Sequence, residues 1–165
     1  MRTVAFVLAL LVVLLCTGGY LLRQQQFAAR MEQLIREAHA AEFAAYSALP
    51  HRVDTAFLDK YYTTTSGNRL EIVPILTRSA DLGTRLTKAS NSDLIKVEVV
   101  ERVSPTEVLI RTREKWYLKW LLPDGSVYKT YDKINDQDYL VEYQPESDQW
   151  LIRTNAYEGT AQPPE

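Results

Sequence analysis

Hydrophobic and polar positions change period twice along the chain, and each change marks an element. Thr3 to Leu22 carry no charge and stand between Arg2 and Arg23. As a helix rising about 1.5 Å per residue, this run is roughly 30 Å long, the hydrocarbon thickness of a bilayer. Residues 1–23 are therefore expected to be a transmembrane signal anchor. From Gln24 to Ala48 the apolar positions Phe27, Met31, Leu34, Ala38, Ala41, Ala45 and Ala48 recur at steps of four and three, one stripe of a helix. Glu32 and Arg36 stand four apart in the favourable order, and Pro50 ends the element. Residues 24–49 thus form an amphipathic helix joining the anchor to the C-terminal domain. Its stripe packs on that domain or, in the alternative, forms the seam of a homodimer.

Asp54 is placed to cap a short helix reaching Tyr62, with Phe57, Leu58 and Tyr61 on its apolar side. The polar cluster Thr63 to Asn68 breaks the pattern. Pro74 fits the first turn of a helix with Ile75, Leu82 and Leu86 on one face, while Gly83 argues against it. From Asp93 the period becomes two. Ile95, Val97, Val99 and Val103 alternate with Lys96, Glu98 and Arg102, and after the turn Ser104-Pro105-Thr106 a long strand runs from Glu107 to Leu121. Val108, Ile110, Thr112, Glu114, Trp116, Leu118 and Trp120 share one of its faces; Arg111, Arg113, Lys115 and Lys119 share the other. Pro123-Asp124-Gly125 predicts a reversal into a strand over 126–131. Strands at 139–144 and 149–156 then flank the turn 145–148, and residues 159–165 read as a disordered tail. Helices followed by an antiparallel meander make an α+β domain over 50–158.

The leading segment has other readings. Met-Arg-Thr, the apolar core Val4 to Leu15 and the small residues Cys16-Thr17-Gly18 also fit a cleaved secretory signal. Against cleavage, Gly19 to Leu22 carry the apolar stretch to spanning length. Lipidation of Cys16 is disfavoured by Leu15 before it. Arg23, Arg30 and Arg36 outnumber Arg2, which by the positive-inside rule favours a cytoplasmic domain. The start nevertheless has the form of a signal anchor, whose bulk is exported, and we expect a single-pass protein with an extracytoplasmic domain. The only cysteine is Cys16, so no disulfide forms in the soluble part.

About 140 residues follow the anchor, enough for one domain with its own core. Without Arg2 and Arg23, 17 of the 19 basic residues face 21 acidic ones, a net charge of −4. That balance argues against nucleic acid as a partner. Phosphate-binding glycine loops and nucleophile elbows are absent from the sequence, and no cofactor is expected. His39 and Glu42 are three apart on a helix, too few for a metal site, and are expected on a solvated helix face.

The aromatic and β-branched strand positions resemble a known family. Arg113-Glu114-Lys115-Trp116-Tyr117, Tyr128-Lys129-Thr130-Tyr131, Tyr139-Leu140-Val141-Glu142-Tyr143 and Asp148-Gln149-Trp150-Leu151-Ile152 resemble the intermembrane-space domain of chloroplast and cyanobacterial division proteins. Three helical segments followed by a strongly curved sheet also resemble the NTF2-like superfamily. The layout also resembles type IV secretion inner-membrane assembly factors. The resemblance implies an NTF2-like cone, about three helices packed on a curved antiparallel sheet. It also implies a scaffold that recruits another membrane or envelope protein.

Ligand-pocket candidates are Glu114, Trp116, Trp120, Tyr139 and Trp150. Glu114 is also the acid or base of the alternative, a membrane-tethered isomerase or hydrolase with a small apolar substrate, because desolvation tunes a carboxyl in an apolar cavity. Glu101 is its candidate partner across the sheet. The row Arg111, Arg113, Lys115 and Lys119 is the candidate partner surface. In the plainer reading it is a solvent face neutralised by Glu98 and Glu107.

Overall fold

In the computed structural model the backbone is described for residues 2–157 and side chains for residues 18–155. Met1 and the predicted tail lie outside the described residues, as do the side chains of the apolar run up to Thr17, Cys16 among them. Among the described residues no helix is long and apolar enough to cross a membrane.

The first helix, α1, runs unbroken from Arg2 to Ser47. Its C-terminal half belongs to the domain and is more than a connector. Met31, Ile35, Ala38, Ala45 and Tyr46 are buried in the common core, with Phe27, Leu34 and Ala41 packed around them. Each large side chain so buried contributes on the order of 2 kcal/mol, and the small alanines let the helix approach the sheet closely. The stripe therefore packs on its own domain and is not offered as a dimer seam.

The second helix, α2, spans Ala56–Tyr61, and Phe57, Leu58 and Tyr61 are buried as expected. The N-cap is Thr55, without a side-chain cap bond, and not Asp54 as expected; Asp54 Oδ1 instead accepts the Ala56 N–H at 3.1 Å. The third, α3, spans Gly67–Asp81 and corrects the expected one. It starts in the polar cluster, carries Pro74 in its interior, and buries Asn68, Ile72, Leu76 and Ser79, while Ile75 and Leu82 are exposed. The proline is tolerated because the carbonyl it leaves unbonded, on Leu70, lies on the solvent side. Gly83 ends the helix with φ +64°, and a Cβ there would meet Pro123 Cγ at 3.0 Å.

Among the described residues five strands make one antiparallel sheet: β1 Arg85–Leu86, β2 Asn91–Ser104, β3 Glu107–Leu121, β4 Val127–Gln144 and β5 Gln149–Tyr157. The central strand is β3, with β1 and β2 sharing one of its edges, β4 on the other, and β5 beyond β4. The sheet curls around the helices. Register shifts at Leu94/Lys96 and Val99/Glu101 interrupt the alternation of β2. Ile95 and Val103 consequently face solvent, and Leu94, Val97 and Val99 pack inward.

The two strands expected at 126–131 and 139–144 are a single strand. The polar stretch between them stays in register because its acids face the basic row of β3: Asp138 forms an ion pair with Arg111, and Asp136 lies opposite Arg113. Hydrophobic alternation stops there, but cross-strand charge complementarity continues.

Candidate functional site

The concave face of the sheet, with α1 and α3 laid over it, encloses a half-open cavity of about 340 Å³. Alternation along β3 delivers Glu114, Trp116, Leu118 and Trp120 to its wall, and β4 adds Tyr131, Asn135, Gln137 and Tyr139. Helix α1 contributes Glu42 and Tyr46, and α3 contributes Ile72 and Ser79. Glu71 and Arg78 from α3 and Lys129 from β4 also line it; all three are exposed.

Glu114 is completely buried. Oε1 accepts the Thr112 hydroxyl at 2.8 Å and the Tyr139 hydroxyl at 2.9 Å. Oε2 accepts Trp116 Nε1–H at 2.9 Å and the Gln137 amide at 3.2 Å. Those four donors fill the acceptor positions that a carboxylate offers. The Gln137 amide is itself held by Asn155 Nδ2, which donates to its Oε1 at 2.8 Å. Tyr139, desolvated and next to this carboxylate, has its phenol pushed well above the usual range and stays a donor.

His39 closes the back of the arrangement from α1. Its ring lies 4.4 Å from the Trp116 ring, and Nε2 stands 3.7 Å from Glu114 Oε2, too far for a hydrogen bond. Nε2 is buried without a hydrogen-bond partner. Desolvation holds the imidazole below its ordinary value against the opposing pull of Glu114.

Glu42 has a different setting. Burial pushes its carboxyl up to about 7; the Tyr46 hydroxyl, donating to Oε1 at 2.8 Å, pulls it down, and Glu114 and Glu71 push it up further. A carboxyl poised near neutrality beside an aromatic wall is what acid-base chemistry requires. The expectation that His39 and Glu42 share a solvated helix face is thus overturned, since both face the sheet. Among the described residues no three His, Cys, Asp or Glu side chains are grouped to hold a metal ion.

Of the five pocket candidates, Glu114, Trp116, Trp120 and Tyr139 line this cavity and Trp150 does not. Trp150 meets Phe27 edge to face and Tyr143 at a tilt, at ring distances of 5.5 and 5.4 Å, because β5 covers only residues 137–144 of β4. Glu101 is exposed and opposite Leu109, whereas Glu114 is opposite Leu94, so the two acids form no pair. The second acid of the cavity is Glu42, expected in water from the sequence. Its signal was available: His39, Glu42 and Tyr46 flank the apolar stripe at steps of three and four. Gln137 shares parity with Tyr139 and Val141 and was equally legible.

The row Arg111, Arg113, Lys115 and Lys119 lies on the convex face. Arg111 is held by Asp138 through two bonds of 2.8 and 2.9 Å. On the neighbouring strand Lys96 donates to Glu98, which lies opposite Arg111 and whose carboxyl both cations hold below its ordinary value, as the plainer reading expects; Glu107 is taken up by Arg153. Arg113, Lys115 and Lys119 make no ion pair among the described residues.

No protein-family description matches the chain, and no curated protein is similar to it in sequence. Its fold is similar to the crystal structure of the intermembrane-space region of the chloroplast protein ARC6. The TM-score is 0.57 and the identity 18%, over 79% of this chain and 95% of that one. At that identity the likeness is one of fold, and it agrees with the resemblance read from the strand residues.

Proposed function

We propose that the chain is a non-catalytic scaffold of a bacterial-type envelope, related in role to division proteins. Thr3 to Leu22 hold it in a membrane, and the NTF2-like cone recruits another envelope protein. The observation that carries this reading is the state of Glu114. A catalytic acid or base needs a lone pair or proton free for substrate. Here both oxygens are occupied by Thr112, Trp116, Gln137 and Tyr139, so the carboxylate fastens adjacent strands and presents an aromatic cavity of fixed shape. The likeness to the ARC6 region supports the same reading, since nearly all of that region is matched. The cations Arg113, Lys115 and Lys119 add a convex face for an acidic partner.

A photo-crosslinker in place of Tyr128, at the cavity rim, and another in place of Lys115 test the proposal in intact source cells. Covalent capture of one defined envelope protein at either position is expected. Absence of capture at both overturns the scaffold.

One observation favours a second reading. Glu42, at about 7 beside the aromatic wall, has the poise of a general acid or base. In a membrane-tethered isomerase or hydrolase it would take the part first expected of Glu114. Turnover of a small apolar substrate that is lost in Glu42→Gln, with the fold intact, would establish that reading.

A further inference from the structure

The N-terminal end of the domain carries a cluster that the cavity does not use. The Arg102 guanidinium lies over the Phe27 ring at 5.1 Å and donates to the Pro105 carbonyl at 3.1 Å. Phe27 meets Trp150 edge to face, and Trp150 meets Tyr143. Tyr143 donates its hydroxyl to Asp148 at 2.7 Å and its backbone N–H to the Thr106 carbonyl at 2.8 Å. The turns at 104–106 and 145–148 therefore lie side by side where α1 first touches the sheet. Arg23, Arg30 and Arg102 are exposed here, and Arg30 is close enough to act on the Tyr143 hydroxyl. Of the neighbouring acids, Asp148 is engaged by Tyr143 and Glu107 by Arg153, leaving Glu146 exposed in its turn and Glu142 half-buried.

Helix α1 is continuous through this point. From Leu22, the end of the apolar run, to Phe27, the first residue packed on the domain, the helix rises about 7.5 Å. A headgroup layer is roughly 5–7 Å deep on each side of the hydrocarbon. A rigid helix of that length leaves no room for a spacer between lipid and domain. Half-buried tryptophan and tyrosine with flanking arginines are the side chains that suit the boundary between hydrocarbon and water.

We propose that this end of the domain is seated in the lipid headgroup layer, with Trp150 and Tyr143 at the interface and Arg23, Arg30 and Arg102 on lipid phosphates. The inference rests on the membrane anchor proposed above and is independent of which way the chain crosses. It also gives the cavity a direction. The wall residues Trp120, Tyr128 and Lys129 lie at the other end of β3 and β4, on the order of 40 Å along the strand at about 3.3 Å per residue, so the cavity looks away from the lipid.

The full chain with Cys16→Ser is reconstituted in phosphatidylcholine vesicles that contain phosphatidylglycerol and a nickel-chelating headgroup lipid. A nitroxide is placed at Ser147→Cys, in the lipid-facing turn, or at Ser126→Cys, in the distal turn. Several-fold stronger relaxation by headgroup nickel at position 147 than at 126 is expected. Equal, weak relaxation at both positions, in protein that floats with the vesicles and resists alkaline extraction, overturns the seating and leaves the anchor standing. Protein that neither floats nor resists extraction overturns the anchor and the seating with it.

Discussion

Two carboxylates line one cavity, and their surroundings treat them oppositely. Glu114, on β3, is fully buried and receives four hydrogen bonds from side chains of the same sheet. Glu42, on α1, receives one, from Tyr46, and its proton is held up to about 7. Only Glu114 has a donor for each of its acceptor positions, because a sheet whose alternate residues converge supplies more donors than a helix face can.

The largest way to break that contrast is to empty the sheet side. Glu114→Leu leaves the buried donors of Trp116, Gln137 and Tyr139 without their acceptor, while Thr112 keeps the Gln137 carbonyl at 3.4 Å, and a loss of about 4 kcal/mol is expected in urea denaturation, since each unsatisfied buried group costs roughly 1–3 kcal/mol. A loss under about 1 kcal/mol would show that these bonds do not hold the curled sheet together.

Glu42→Gln acts in the other direction. The folded chain holds this proton up to about 7, while an ordinary glutamic acid releases it near 4.5. Between those limits the folded state binds more protons than the unfolded one, so the stability that Glu42 contributes is present below 4.5 and lost as pH rises through 7. The glutamine keeps the shape without the charge. Stabilisation by about 2 kcal/mol at pH 8 and none at pH 4.5 is expected, again from urea curves.

His39 has the reverse slope. Its folded value is depressed below 6.5 by burial, with Glu114 and Asp93 pulling up and Arg36 down. The unfolded chain therefore takes up the proton first, and stability is lost as pH falls below about 6.5. The two slopes oppose each other between about 4.5 and 6.5 in the wild type. In Glu42→Gln stability should fall toward acid, and in His39→Phe it should rise, a difference on the order of 1 kcal/mol. Parallel profiles for the two variants would mean that neither group titrates as its surroundings require.

The smallest effect is expected on the convex face. Arg111→Ala removes a half-exposed ion pair with Asp138, and a loss of under about 1 kcal/mol, further reduced by salt, is expected in the same assay.

Elements with a single strong period are legible in the sequence alone. The second strand of the meander, β3, ends where alternation said it would, and Phe27, Met31, Ala38 and Ala45 trace the packed face of α1. The failures share a cause. Continuous β4, Pro74 inside α3 and the inward turn of His39 and Glu42 are polar or helix-breaking signals that a distant neighbour offsets. That neighbour is a basic row across the sheet for β4, solvent on the exposed side of α3, and an aromatic wall for His39 and Glu42.

The chain by itself determined its α+β order and the two faces of its central strand, because period is a local property. Only the tertiary structure decided which acid is fully hydrogen-bonded and which is left short of donors. Thr112, Trp116, Gln137 and Tyr139 come from two strands, and their meeting point on Glu114 depends on how those strands pair and on the helix that closes over them.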